Sequence, residues 1–483
     1  MGAKCCSGDL IYPVMFYGPG GSGKSTIGKC LRLLFAAEEG VSDPERNYAA
    51  LIKFQEDKEI VVRLIRRNIV EAAAVLCKQA NALYPTEYEV QFERLGLGLI
   101  TGKNEMKAGS FLSDQANVLL AFWGSELGQK VWARRLEFDI HDNASLFIPI
   151  CNKTCNSGWS PSLDEYLSTR EETVILTKYT VELPSEGRKK RSLEILDVGG
   201  QASHVEVYRG DPLYNEFLQR AGLLFVVIAV GDLETERENG LVTEGFRVLS
   251  KVLAEGNKKD GQGVIWGDSN FNKKIVVGYL NKQDKLKEAI ERAQERGDVP
   301  GLLENWRIAA LSRMTEDESV LRDAISKANS AVTDLEGAQK FFMGIAEYLS
   351  KIHRPLTPRP VPKFPKSLTW KEQDAKVEWE ANYPGPVFFA NTTAIRIKNG
   401  EQIKETVEKS INHQMSIGID DMGFYEGAAF ESTAAMNADK VVRQRQVENP
   451  IVNNTNPAKK EKVPKTTRRS SQFGFDEMYG EHL

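Results

Sequence analysis

The stretch LIYPVMFYGPGGSGKSTIGKCLRLLF, residues 10–35, decides the architecture. It opens with an apolar run, breaks at Gly18, Gly20, Gly21 and Gly23, and resumes with helical spacing at Ile27, Leu31 and Leu34. Gly18 to Ser25 fits G-x-x-x-x-G-K-[ST], so strand, glycine loop and helix follow in the order a phosphate cradle needs. Glycine tolerates positive φ, which turns successive backbone N–H groups inward onto an anion. The helix that follows adds the positive end of its dipole. This reading assigns phosphate contacts to Gly20, Gly21, Ser22, Gly23, Lys24, Ser25 and Thr26, with Lys24 on the β- and γ-phosphates and Ser25 as a Mg²⁺ ligand. Pro13 lies inside the strand, where only a position near the start of pairing tolerates it.

Two further strand–loop junctions extend the site. SLEILDVGGQ (192–201) is an apolar run entering a tight turn. An acid at a strand's C-terminal end suits water-mediated Mg²⁺ binding, the part given to Asp197; Gly200 offers an N–H to a γ-phosphate, and Gln201 is placed to orient an attacking water. KKIVVGYLNKQDKL (273–286) is a buried-type strand followed by N-K-x-D. The carboxylate of Asp284 accepts two hydrogen bonds, matching the two adjacent donors on the edge of guanine that adenine lacks. That selects GTP or GDP and argues against an ATPase or a nucleoside kinase. Asn281 is expected to tie loops together and Lys282 to lie along the base. PGPVFFANTTAIR (384–396) supplies a last strand and a short loop in which Thr393 and Ala394 support the base.

Apolar runs at 10–17, 192–198, 221–230, 273–280 and 386–390 alternate with helical stretches. The fold class expected is α/β, a doubly wound, mostly parallel sheet with ligands outside the carboxyl ends of its strands. Residues 43–165 depart from this pattern. They read as an inserted all-helical domain, opening at Ser42 or Asp43 with Pro44 in the first turn and carrying Ile60, Leu64, Ile69, Ala73 and Leu76 at helical spacing. Trp123 and Trp132 are expected in its core.

The expected organisation is residues 1–42 as the first part of the nucleotide domain and 43–165 as the helical domain. The second part spans 166–415, with an insertion at about 290–385, and a disordered tail fills 416–483. The chain has 483 residues and a net charge of −4, which gives no argument for nucleic acid as a partner. No run reaches the roughly 18 apolar residues of a membrane span, and no secretory segment is evident. The six cysteines suggest no disulfide framework, and Cys151 and Cys155 lack the further ligands of a metal site.

On these motifs the chain resembles the α subunits of heterotrimeric G proteins. GPGGSGKST resembles their phosphate loop, DVGGQ matches theirs letter for letter, NKQD is their guanine motif, and TTAI (392–395) is a degraded form of their last base-contacting loop. DNASLFI (142–148) is similar to the close of their helical domain and places Asp142 and Asn143 beside the nucleotide. LSTREET (167–173) then falls on the segment joining helical and GTPase domains. By resemblance Leu167, Ser168 and Thr169 line the nucleotide, Arg170 is the built-in catalytic arginine acting with Gln201, and Thr173 joins Ser25 and Asp197 around Mg²⁺. The implied function is a GTP-hydrolysing signal transducer; the alternative is a nucleotide-gated interaction protein with little turnover. The implied partners are a seven-helix receptor or other exchange factor and an effector the sequence does not name.

Departures from the family carry their own expectations. Gly21 replaces the acid that pairs with the catalytic arginine, which predicts faster GDP release. ASHVEVY (202–208) replaces a basic, tryptophan-bearing surface, and only about nine residues precede the first strand, both of which argue against a βγ dimer. MGAKCCS places Gly2 for myristoylation and Cys5 and Cys6 for palmitoylation, the two signals a stable anchor needs, and predicts the cytoplasmic face of a membrane. HRPLTPRPVPKFPK (353–366) reads as a stiff connector, and KKEKVPKTTRR with Ser470 and Ser471 as a basic, phosphorylatable stretch of the tail.

Overall fold

A computed structural model describes residues 10–35, 47–49, 55–101, 113–138, 140–170, 177–186, 189–198, 212–234, 240–255, 274–328, 332–353, 387–392 and 400–416. Gly2, Cys5, Cys6, Ser42, Asp43, Pro44, Thr173, Gly200, Gln201, Thr393, Ala394, Ser470 and Ser471 lie outside these residues, as do ASHVEVY and most of the proline-rich segment.

Six strands form one sheet: β1 (Leu10–Tyr17), β2 (Thr177–Glu186), β3 (Lys189–Asp197), β4 (Leu223–Ala229), β5 (Ile275–Asn281) and β6 (Val387–Asn391). Their order is β2-β3-β1-β4-β5-β6. Every neighbouring pair is parallel except β2 with β3. Five strands fall where the apolar runs place them. β2 is an addition: Lys178 to Leu183, KYTVEL, alternate polar and apolar like a strand with one wet face, which is how an antiparallel edge reads. Pro13 is accommodated because pairing of β1 with β4 begins only at Val14.

Alternation along the strands divides the core. Val14 and Phe16, Phe225 and Val227, and Val277 and Tyr279 point to one face, covered by α1 (Lys24–Phe35) and by Ile403, Val407 and Ile411 of the final described helix. That apolar cluster continues without a break into the helical segment between Asn47 and Arg170, whose described residues contain no strand. Its helices are α2 (Gln55–Leu83), α3 (Pro85–Leu95), α4 (Ser113–Trp123), α5 (Glu126–Ala133) and α6 (Leu163–Ser168), with one-turn pieces between the last two. The buried stripe of α2 runs through Val61, Ile65, Ile69, Ala72, Ala73 and Leu76. Ile60, expected on this stripe, is instead 47% exposed, because the helix turns its inner face about one residue later than the apolar pattern suggests. Trp123 and Trp132 pack edge to face at 5.0 Å against this core.

Met15 and Tyr17, Leu224, Val226 and Ile228, and Val276 and Leu280 point to the other face. It is covered by α7 (Pro212–Arg220), α8 (Leu241–Glu255), α9 (Gln283–Glu295), α10 (Val299–Ser312), α11 (Ser319–Lys327) and α12 (Leu335–His353). The described part of the stretch expected as an insertion at about 290–385 is therefore core. Trp306 of α10 is 1% exposed and meets Phe341 and Phe342 of α12 edge to face at 5.7 and 5.1 Å, while Phe342 stacks on Phe246 of α8. The closing helix is α13 (Gly400–Ser416).

Candidate nucleotide site

The register aligns the ends of the parallel strands. Phe16 pairs with Asp197, Tyr17 with Val226, Ala229 with Asn281, and Leu280 with Asn391, so the loops after β1, β3, β4, β5 and β6 leave one edge of the sheet together. That edge is where ligands of doubly wound sheets bind.

The phosphate loop is built as its glycines predict. Gly18, Gly21 and Gly23 have φ of 140°, 75° and 99°. A Cβ on Gly23 would stand 2.2 Å from Nδ2 of Asn281, so this position needs glycine for space as well as for φ. Lys24 opens α1 and turns its ammonium back over the loop, donating to the carbonyls of Gly18 (2.8 Å) and Pro19 (3.0 Å). Burial pushes this lysine down to about 8, with the carboxylate of Asp197 pulling the other way. A buried ammonium held on loop carbonyls is a cation ready to exchange them for phosphate oxygens.

Ser25 donates its hydroxyl to Oδ2 of Asp197 at 2.6 Å, and Asp197 is 3% exposed. The sheet register, β1 beside β3, places these residues together although they are 172 positions apart. A hydroxyl and one carboxylate are hard oxygen donors of the kind Mg²⁺ accepts, and Mg²⁺ retains waters and phosphate oxygens for its remaining positions. Among the described residues no group of three His, Cys, Asp or Glu side chains gathers to make an all-protein metal cage.

The guanine loop is braced from three directions. Asn281 donates from Nδ2 to the Ser22 carbonyl at 2.9 Å and accepts at Oδ1 from the Thr392 hydroxyl at 3.2 Å. Gln283 donates to the Leu280 carbonyl at 2.9 Å and accepts from Gln339 of α12 at 3.0 Å. Lys282 adopts φ 61°, the one positive φ among the described non-glycine residues, and its ammonium bridges Asp142 (2.9 Å) of the helical segment and Asp232 (2.8 Å) of the loop after β4. Burial would lower Lys282, but the two carboxylates outweigh it and hold the lysine above its ordinary value. Asp284, in the first turn of α9, is raised by burial, with Lys285 opposing. A carboxylate kept partly desolvated gains from donated hydrogen bonds, of which it can accept two side by side.

The segment from Leu167 to Arg170 is held by its backbone. Ser162 and Glu165 form a reciprocal cap at the start of α6. Asn143 donates to the Ser168 carbonyl (2.9 Å) and to Oδ1 of Asn68 (3.0 Å). Asn68 in turn accepts from the Arg170 N–H at 2.8 Å and donates to the Arg170 carbonyl at 2.9 Å. Lys29 of α1 donates to the Thr169 carbonyl (3.0 Å) and hydroxyl (2.6 Å). Leu167 is fully buried in the apolar core, so its side chain is not available to a nucleotide, and only its backbone remains for the role expected of it. Arg170 is exposed, and its guanidinium contacts Nδ1 of His141.

A family model described as "G-protein alpha subunit" matches residues 7–209. Over these residues the chain is similar to G-protein alpha subunits. Guanine nucleotide-binding protein subunit alpha-15 of Oryctolagus cuniculus is 23% identical over 291 residues, 60% of this chain and 68% of that protein. Guanine nucleotide-binding protein alpha-16 subunit of Caenorhabditis briggsae is 24% identical over 287 residues, 58% of this chain and 70% of that protein. Guanine nucleotide-binding protein alpha-15 subunit of Caenorhabditis elegans is 27% identical over 194 residues, 39% of this chain and 48% of that protein. The match to the G-protein alpha subunit model spans the phosphate loop, the helical segment, Arg170 and β3, and ends before the guanine loop.

Several residues at this candidate site escape a reading of motifs: Asn68, Lys29, His141, Glu71, Asp232 and Gln339. Asn68 alone carried a signal, a polar side chain in the middle of an apolar helical stripe, now 1% exposed.

Proposed function

We propose that this chain is a GTP-binding signal transducer of the α-subunit type that hydrolyses GTP to GDP and phosphate. The observation that carries the reading is the meeting of the phosphate loop and the guanine loop through Asn281 and the Ser22 carbonyl, which makes one ligand site of two distant motifs. The relatives named as guanine nucleotide-binding proteins support the choice of ligand.

In this reading Lys24 leaves the carbonyls of Gly18 and Pro19 for the β- and γ-phosphates. The loop N–H groups around Gly20, Gly21 and Ser22 and the start of α1 hold the remaining oxygens. Mg²⁺, when bound, would neutralise phosphate charge, and the residues that would hold it are Ser25, Thr173 and, through water, Asp197. Asp284 accepts the two donors of guanine. Arg170 donates to phosphoryl oxygens as charge develops on them, Gln201 orients the attacking water, and Gly200 offers its N–H to the γ-phosphate. The loops around Thr173 and Gly200 relax when that phosphate departs, and an effector reads the difference. An exchange factor, a receptor among the candidates, acts on release of GDP, and acylation of Gly2, Cys5 and Cys6 places the switch at the cytoplasmic face of a membrane.

Labelled GTP-analogue binding, competed separately with GTP and ATP, tests the ligand. Single-turnover phosphate release from wild type and Arg170→Ala tests the reaction. Competition by ATP as effective as by GTP overturns the first, and wild-type turnover no faster than that of Arg170→Ala overturns the second in favour of a binding-only switch.

A further inference from the structure

Arg170 is the reactive arm of the proposed site, yet the structure holds its guanidinium on the helical segment. Arginine only donates, so Nδ1 of His141 accepts and is unprotonated. The ring proton is then on Nε2, which donates to Oε2 of Glu71 at 3.1 Å. Glu71 is fixed in turn by Arg67, Nε to Oε1 at 2.8 Å. The backbone of Arg170 stays pinned on both sides by Asn68, so the guanidinium alone is free to swing. Gly21, on the phosphate loop, presents no side chain to compete for it, and a Cβ there would meet nothing within 4 Å.

We propose that His141 is a positioning residue that docks Arg170 in the phosphate-free site, and that protonation of His141 releases it. The inference rests on the reading of Arg170 as the catalytic arginine. The charged groups around the imidazole define the balance. From α2, Glu71 favours the imidazolium and Arg67 opposes it. From the end of α6, Arg170 opposes it directly. Asp142, the next residue along the chain, spends its carboxylate on Lys282 at 2.9 Å. The hydrogen bond from His141, working against burial and joined by Arg67, holds Glu71 down at about 2, so this carboxylate remains an acceptor throughout the imidazole's titration. When Nδ1 gains a proton, two donors and two positive charges face each other, and the docked arrangement is lost.

Histidine-selective ¹⁵N NMR on the full chain without nucleotide tests the docking. The chain has five histidines, and His141→Gln assigns the signal. While Arg170 is docked, His141 is expected as the Nε2–H tautomer. Arg170→Ala removes a facing cation and Glu71→Gln a facing anion, so the two variants are expected to move the His141 midpoint in opposite directions. An unchanged midpoint and tautomer in Arg170→Ala overturns the docking, whatever the fate of the nucleotide reading. Arg170 is exposed, so that variant keeps its fold. For release, a non-hydrolysable GTP analogue draws Arg170 away, and the His141 midpoint rises as it does in Arg170→Ala; an analogue that binds without moving the midpoint overturns release. Single-turnover hydrolysis is expected to rise several-fold as pH falls through the midpoint in wild type and to stay flat in His141→Gln. Equal pH slopes in the two proteins overturn the switch while leaving the GTPase reading intact.

Discussion

Asn281, at the end of β5, donates to the backbone carbonyl of Ser22 at 2.9 Å, across 259 residues of chain. The same side chain occupies the space that any Cβ on Gly23 would take, at 2.2 Å. Gly23→Ala is expected to break this bond and to strain a backbone at φ 99° by about 1–3 kcal/mol. Nucleotide affinity should fall by at least about tenfold, since one lost hydrogen bond of this kind is worth roughly 1–3 kcal/mol. Equilibrium binding of a fluorescent GTP analogue, beside a thermal melt, checks both effects.

Lys24 sets a pH dependence. Burial lowers it to about 8 in the folded, ligand-free chain, against an ordinary value of 10.5. Between these values the unfolded chain binds the extra proton, so the contribution of this group to stability rises with pH through about 8 to 10.5. Ligand affinity moves the other way: above about pH 8 the free site loses the ammonium that meets phosphate, and affinity should fall by up to about tenfold per pH unit. Titration calorimetry from pH 7 to 10 reads this directly, and Lys24→Met should show no such slope and little binding.

Lys282 joins the helical segment to the sheet through Asp142 and Asp232. Asp232 and Lys282 are 14% and 18% exposed, so removing the lysine takes a close cation from a carboxylate that burial already pushes up. Lys282→Ala is expected to destabilise by about 1–3 kcal/mol, and adding Asp232→Ala should restore part of the loss, because a buried charge with one cation fewer is then gone. Urea unfolding of the single and double variants tests this.

Trp306 shows whether α10 to α12 are an appendage or core. Its ring is 1% exposed and packed on Phe341 and Phe342. Trp306→Ala is expected to cost about 3–5 kcal/mol, a core-sized loss. If these helices were an appendage, denaturant unfolding followed at the sheet would be unchanged.

The phosphate loop, the acid at the end of β3 and the guanine loop were legible because each is a short run whose backbone demands and chemistry are local. The buried strands were legible for the same reason, being unbroken apolar runs. β2 was not, since an edge strand with one wet face gives a weak alternation that competes with loop readings. The helices from Val299 to His353 fell within the stretch expected as an insertion, because nothing in their own pattern says that they cover the same sheet face as α8. His141 was invisible as well: one histidine between Ile140 and Asp142 has no signature until Glu71 and Arg170 approach it.

By itself the sequence determined which segments bend, which bury and which hold donors and acceptors of the kind phosphate and guanine need, because those follow from local backbone freedom, side-chain periodicity and donor type. The tertiary structure alone decided that Asn281 meets Ser22, that Lys282 meets Asp142 and that Arg170 rests on His141, pairs separated by 259, 140 and 29 residues. Such meetings are set by strand order and helix docking. Many distant apolar contacts fix these together, and no single stretch of chain encodes them.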